Sequence, residues 1–410
     1  MTEVVAMSAY SRLKFALSDF LIGKKKVNQK KAKYRRFNLI FLTTALVPLI
    51  SVGIFNIAVD PYGIYNSPTF TQFNQSKPEK WKHQRLFKAI AITRIKPVTI
   101  FLGSSRMNLG LNPTYSALDD KQPAYNLGLN GANTYETLRY LQHAIKNQKD
   151  LKLVILGLDF IMFNQELGNQ PGFDEGRLEK QAITSQDFIN TTFSLDTLSL
   201  SEKTIEANRT NSDRDIYYPN GFMRLQRGDK DKNLTEFKKS IAVYFNVHSN
   251  YKLSQQYLDD LREIVNLCRE RGITLIGFIS PAHVTQSEAI YAAGQWQILE
   301  QWKREVVKIL PVWDFSDYNS ITTEPVSEKM KNYIDSSHYK EAIGNLVLDR
   351  ILSYKKVEVP KDFGVYLTPD NIESHLAKIR ANREKWVKAN PNDAELVKII
   401  KQEQETKKTK

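Results

Sequence analysis

The chain of 410 residues has a single cysteine, Cys268, which leaves no partner for an intramolecular disulfide, a CxxC redox pair or a multi-cysteine zinc site. Cys268 lies in an apolar helical stretch with Ile264, Val265 and Leu267, where a small buried thiol serves packing. Neither a P-loop nor a GxGxxG fingerprint is present, so no nucleotide cofactor is expected, and no metal. There is no internal repeat. Mean hydropathy is −0.43, too low for a multi-span membrane protein. Hydrophobic content of 41% and charged content of 25% are ordinary globular values and exclude wholesale disorder.

The positive charge is also missing from most of the chain. Of the formal +13, residues 1–36 hold +8 and residues 366–410 hold +3, which leaves about +2 for the body. A nucleic-acid footprint needs a basic face on the folded body, so no nucleic-acid partner is expected.

The N-terminal charge has its own explanation. KKKVNQKKAKYRR, residues 24–36, runs directly into an uncharged stretch, Phe37 to Val59. About 20 apolar residues cross a bilayer as a helix. No convincing cleavage site follows, so the stretch reads as an uncleaved anchor, with Pro48 a potential kink. The positive-inside bias keeps residues 1–36 cytoplasmic and sends everything after Asp60 across the membrane. Residues 9–22 form either an amphipathic surface helix or an unimportant extension.

Residues 60–95 read as a linker and lead-in, with DPYG and SPTF as turn signals. Apolar runs then alternate with helical spacing. Strands are predicted at Val98–Leu102, Ala124–Leu127, Leu153–Leu158, Ile273–Ile279 and Val312–Phe315. Helices are predicted at Thr134–Ile145, 254–270, 287–309 and 340–353. Residues 160–250 are polar, break the rhythm and read as an insertion. Residues 361–410 read as a charged helical C-terminal tail, with its helical stretches broken by Asn390-Pro391 and its final charged run solvated. Continuous apolar strands separated by helices imply an α/β domain over residues 96–360 with a mostly parallel sheet, whose site lies at the carboxyl ends of the strands.

Four short segments fall at those ends. Gly103-Ser104-Ser105-Arg106 follows the first strand, and either serine is placed to attack. Asn126 to Gly131, with Ala132 and Asn133, follows the second; its glycines bring N–H groups close to a developing oxyanion. Gly157-Leu158-Asp159-Phe160 ends the third. Asp335-Ser336-Ser337-His338 precedes the last helix, at a spacing that lets a carboxylate orient an imidazole. Each alone also fits an ordinary turn or helix cap.

In this order the segments resemble the SGNH (GDSL-like) hydrolase superfamily, over residues 96–353. The likeness is greatest to its membrane-anchored extracytoplasmic branch, which includes proteins of alginate O-acetylation and of D-alanyl transfer to teichoic acids. The resemblance implies a flavodoxin-like three-layer fold with one N-terminal transmembrane helix, at the bacterial plasma membrane with the catalytic domain outside. It implies Ser105 as nucleophile, with His338 as base held by Asp335. The Ser105 and Gly131 N–H groups would form the oxyanion hole. In the third block the family's Asn becomes Asp159, whose charge would repel an oxyanion. Asp159 then points away, is protonated, or yields to Asn130 or Asn133. Arg106 and His283 are candidate substrate contacts, and Asn208-Arg209 and Tyr218–Gly221 could line a carbohydrate groove.

The implied activity is serine esterase or O-acyltransferase chemistry on acyl esters of a cell-surface glycan, without a cofactor. The implied partners are the lipid bilayer, the glycan and a multi-span membrane acyltransferase as donor. The alternative is a catalytically inactive glycan-binding or assembly subunit.

Overall fold

The computed structural model describes residues 2–210, 216–225, 232–354 and 358–408. It opens with helix α1 (Thr2–Val59), which continues through Pro48. Residues 9–22 belong to its early turns rather than to a separate helix; their side-chain faces mostly lie outside the described residues. The stretch Lys30–Val59 is long and apolar enough to cross a membrane, and only 11% of its most apolar window is buried by the rest of the chain.

The end of α1 is fastened to the body. Its last carbonyls would otherwise lack partners. Ser67 Oγ donates to Ile57 O (2.5 Å), Asn74 Nδ2 to Ala58 O (3.0 Å) and Lys77 Nζ to Val59 O (3.1 Å). Asp60 closes the DPYG turn by accepting from the N–H groups of Ile64 (2.8 Å) and Tyr65 (3.2 Å).

The next helix, α2 (Gln84–Ile95), packs Ala89 and Ile92 into the main core, so this part of 60–95 is structure rather than linker. Then come β1 (Thr99–Leu102), α3 (Ser105–Gly110), β2 (Ala124–Asn126), α4 (Thr134–Asn147) and β3 (Leu153–Leu158). The region predicted as an insertion contains α5 (Ser185–Phe193), α6 (Leu195–Thr210), the hairpin β4 (Ile216–Tyr217) and β5 (Met223–Arg224), and α7 (Asn233–Val247). After it follow α8 (Gln255–Glu270), β6 (Thr274–Ile279), α9 (Val284–Ala292), α10 (Trp296–Ile309), β7 (Val312–Asp314), α11 (Glu341–Ile351), β8 (Val365–Leu367), α12 (Ile372–Ala389) and α13 (Pro391–Lys408).

The fold is α/β with a six-stranded sheet in the order β2-β1-β3-β6-β7-β8. Five strands are parallel, and β8 adds antiparallel to β7. Both faces are covered, because successive strand residues point to opposite sides. Ile100, Leu102, Val154 and Leu156 enter one core with Leu141, Leu261 and Trp302 of α4, α8 and α10. Phe101, Leu153 and Ile155 enter the other with Met107 of α3 and Val347 of α11. Cys268 is buried in the first core, where burial pushes its thiol up to about 12.

One expectation differs. The single helix over 287–309 is broken between α9 and α10 at Gly294, whose φ of +75° suits glycine. The C-terminal segment is helical, with its break at Asn390-Pro391, and it packs on the body. Leu376, Trp386, Val397 and Ile400 join the main core, while Arg380 and Arg383 pair with Glu300 (2.7 Å) and Glu288 (2.7 Å).

Candidate active site

Strand order reverses between β1 and β3, and open parallel sheets form their clefts at such points. The GSS turn leaves β1 there. Gly103 has φ +139°, and a Cβ on it would lie 2.7 Å from Gly157 O, so the turn requires glycine. Ser104 caps α3 by accepting from Arg106 N (3.2 Å), which places Ser105 in the first helical turn.

Ser105 Oγ lies 2.8 Å from His338 Nε2. His338 Nδ1 lies 2.9 Å from Asp335 Oδ2 and 3.0 Å from Oδ1. With the proton on Nδ1 shared with Asp335, Nε2 accepts from the Ser105 hydroxyl. Local geometry accounts for the D-x-x-H spacing. Asp335 Oδ1 accepts from the N–H groups of Ser337 (2.8 Å) and His338 (3.0 Å), which folds the imidazole back onto its own carboxylate. Burial opposes the charge on Asp335, but His338 and these two N–H groups outweigh it and hold the carboxyl below its ordinary range. Ile334 N donating to His338 O (2.8 Å) closes the loop.

Ser104 faces elsewhere. It is fully buried and its hydroxyl donates to Asp159. Arg106 Nη1 pairs with the other Asp159 oxygen at 2.8 Å, and Arg106 Nε donates to Ser337 Oγ (3.1 Å). Asp159 is therefore tied to a cation and a hydroxyl, which rules it out as an oxyanion donor. Arg106 is likewise buried in this pair. It also walls one side of a small, partly open cleft, with Phe160, Ile279, Trp302, Leu376 and Ile379 among the other walls.

Asn133 is also committed. Its side chain caps α4 by accepting from Glu136 N (2.8 Å) and donates to Leu167 O (3.1 Å), Asn169 Oδ1 (3.0 Å) and Tyr257 Oη (3.0 Å). Asn130 is half-buried, and its Oδ1 accepts from Asn108 Nδ2 (2.9 Å). Gly131 has φ +67° in the same loop. That loop is fastened to α3 by Asn126 Nδ2, which donates to Met107 O (2.7 Å) and Leu111 O (2.8 Å). Leu129 N donates to Gly103 O (2.9 Å).

His283 does not reach the cleft. It is fully buried, with Nδ1 2.9 Å from Thr285 Oγ1 and Nε2 2.6 Å from Glu324 O. Burial pushes His283 and His248 each down to about 4. An unfolded chain binds these protons near pH 6.5, so between pH 6.5 and 4 the unfolded state holds more protons. Stability is full above that window and falls through it, by about 3 kcal/mol per histidine. Half-buried Asp260, raised to about 6 by burial and Asp259, acts in the opposite direction and offsets part of the loss. The expected result is a lower urea midpoint at pH 4.5 than at pH 7.5, with a smaller drop in His248→Gln. A midpoint rising toward acid would contradict the assignment.

Several positioning residues gave no signal in the sequence. Lys88, on α2, is fully buried; its Nζ donates to Gly128 O (2.7 Å) and Asn108 Oδ1 (2.9 Å), joining α2 to the glycine loop and α3. Burial, then Lys80 and Arg85, hold its ammonium well below the ordinary lysine range. Gly110 and Gly344 let α3 and α11 touch. A Cβ on Gly344 would lie 1.8 Å from Gly110 O, and one on Gly110 would lie 2.1 Å from the Tyr339 ring. Gly344→Ala is expected to cost about 1–3 kcal/mol or more. Separating Ser105 from His338 by even ~1 Å lowers turnover about 100-fold. Unchanged thermal unfolding and turnover would show that the two helices do not meet this closely.

Of the segments Asn208-Arg209 and Tyr218–Gly221, Asn208 and Asn220 make local ties, while Arg209 and Tyr218 are exposed. Asn208 Nδ2 donates to Ser76 O (2.7 Å), and the Asn220 carbonyl accepts from Asn126 N (2.8 Å) at the end of β2. Among the described residues, no group of three or more His, Cys, Asp or Glu is placed to hold a metal ion. The chain matches no protein-family model and no curated protein.

Proposed function

We propose that this chain is a membrane-anchored serine acyl-ester enzyme of the SGNH type, acting outside the cytoplasm on acyl esters of a cell-surface glycan. The observation that carries the reading is the Ser105–His338–Asp335 chain, with contacts of 2.8 Å and 2.9 Å, which joins the turn after β1 to the loop before α11. The apolar stretch of α1, preceded by its basic cluster, supports the anchor and its orientation.

Ser105 Oγ attacks the ester carbonyl carbon while His338 Nε2 takes the hydroxyl proton. The tetrahedral oxyanion is met by the Ser105 and Gly131 N–H groups, with the Asn130 amide replacing the family's Asn. Collapse breaks the ester C–O bond, and the leaving alkoxide takes the proton from His338. This leaves an acyl-serine. Water or a sugar hydroxyl then attacks the acyl carbon and gives its proton to His338; collapse breaks the bond to Ser105 Oγ, which takes that proton back from His338. Asp335 holds the imidazole and stabilises its charged form throughout. Water as acceptor gives hydrolysis, and a glycan hydroxyl gives transfer, with a multi-span acyltransferase as a fitting donor.

The experiment is fluorophosphonate labelling of the full chain in detergent, with mass analysis of the adduct. A stoichiometric adduct on Ser105 is expected. Glycan binding without labelling or ester turnover, unchanged in His338→Ala, would favour an inactive glycan-binding or assembly subunit. Two departures from the family's pattern stand on that side: Asp159 in place of its Asn, and Ser104 in place of the Asp of its GDS block.

A further inference from the structure

We propose that the α5–α6 turn and the loop at Phe70 form an apolar collar that rests in the lipid headgroup boundary around the exit of α1. The collar sets the height of the candidate site above the membrane. The inference depends on α1 spanning a bilayer, as read above.

The geometry starts on α1 below its end. Gly53 lies about 9 Å below Val59 along the helix axis. On one face at this level the helix is already covered by the body. A Cβ on Gly53 would lie 2.6 Å from the Phe193 ring. One turn on, Asn56 Nδ2 donates to Thr192 O (2.9 Å) and Ser201 Oγ donates to Asn56 Oδ1 (2.9 Å). This satisfies the polar side chain of the apolar stretch from α5 and α6, as a polar group at membrane depth requires. On the opposite face at the same level, Ile54 is 64% exposed.

If the surroundings of Ile54 are hydrocarbon, then α5 and the start of α6 lie at that depth too. Their outer surface fits. Leu195 is 76%, Ile189 56% and Phe188 37% exposed. Such a cluster of large apolar side chains is costly in water and favourable at a membrane boundary. Asn190 and Asp196, exposed beside them, suit the headgroup level rather than the bilayer centre. Phe70, 61% exposed, extends the collar. Its loop is closed by Asn74, which also donates to Ala58 O (3.0 Å) at the end of α1.

The collar is rigidly joined to the site. Tyr62, Ile64, Leu86, Phe87 and Ile90 form one buried cluster between the end of α1 and α2, with Leu200 of α6 packed on it. From α2, Lys88 and Arg85 reach the glycine loop at Gly128 O (2.7 Å) and Asn130 O (3.1 Å). The enzyme therefore works within a fixed distance of the lipid surface, on esters presented there.

The test uses the full chain in lipid nanodiscs with Cys268→Ala, since the native thiol is buried. Nitroxide labels go on single cysteines at Phe70, Ile189 and Leu195, at Ile50 within the apolar stretch, and at exposed Val243 on α7. Spin relaxation by oxygen, which partitions into lipid, is compared with relaxation by a water-soluble nickel chelate. At residues 70, 189 and 195 the oxygen effect should exceed the chelate effect roughly twofold or more, as at Ile50, with the reverse at Val243. Chelate dominance at the three collar positions, with oxygen dominance at Ile50, would overturn the collar and leave the anchor standing. Chelate dominance at Ile50 would remove the anchor itself, and the collar with it.

Discussion

Ser105→Ala is expected to lower ester turnover by about 10⁴-fold or more, and His338→Ala by a comparable factor. The two should not add. Once the hydroxyl is gone the imidazole has no proton to take, so the double variant should be no slower than Ser105→Ala alone. Ser104→Ala supplies the contrast. Its hydroxyl is directed to Asp159 and away from His338, so turnover should stay within about tenfold of the parent while stability falls. Steady-state rates on an activated acyl ester, with trapping of the acylated protein, separate these outcomes. Turnover that survives in Ser105→Ala but is lost in Ser104→Ala would exchange the roles of the two serines. Turnover that survives in both would end the acyl-serine proposal.

The second large effect belongs to stability. Arg106→Gln leaves Asp159 buried without its cation, and stranding one member of a buried ion pair costs about 3–5 kcal/mol. Asp159→Asn strands the guanidinium instead and should cost a similar amount. Combining Arg106→Gln with Asp159→Asn removes both charges and should recover most of the loss. Denaturant midpoints of the four proteins in detergent give the coupling directly. Additive losses would mean that the 2.8 Å contact contributes nothing specific. Arg106 also donates to Ser337, so the single variant should loosen the loop that carries His338 and raise the cost in turnover above the cost in substrate binding.

How much was legible in the sequence follows from how each segment is stabilised. β1 and β3 are buried on both faces, so their apolar runs showed them directly. The site turns showed because glycine, serine and asparagine cluster where strands end. The α2 helix did not, because its inner face uses Gln84, Arg85 and Lys88 where apolar residues would be looked for. The packing of the C-terminal helices on the body gave no signal for a related reason. Arg304–Glu373, Glu300–Arg380 and Glu288–Arg383 clasp α12 with charges that, in one dimension, look like a solvated surface. His283 had the right chemistry and position in sequence, but it caps α9 and anchors Glu324 O. The pairing of Asp159 with Arg106 links positions 53 residues apart, which no local pattern reveals.

The hydroxyl of Ser105 and the ring of His338 are separated by 233 positions along the chain. During synthesis the serine therefore emerges long before the imidazole it contacts in the folded chain. If the chain is threaded outward as it is made, the nascent polypeptide passes its export machinery and neighbouring esters while chemically inert. On the reading proposed above, reactivity would begin only when nearly the whole domain has been delivered and folded, a timing set by chain order.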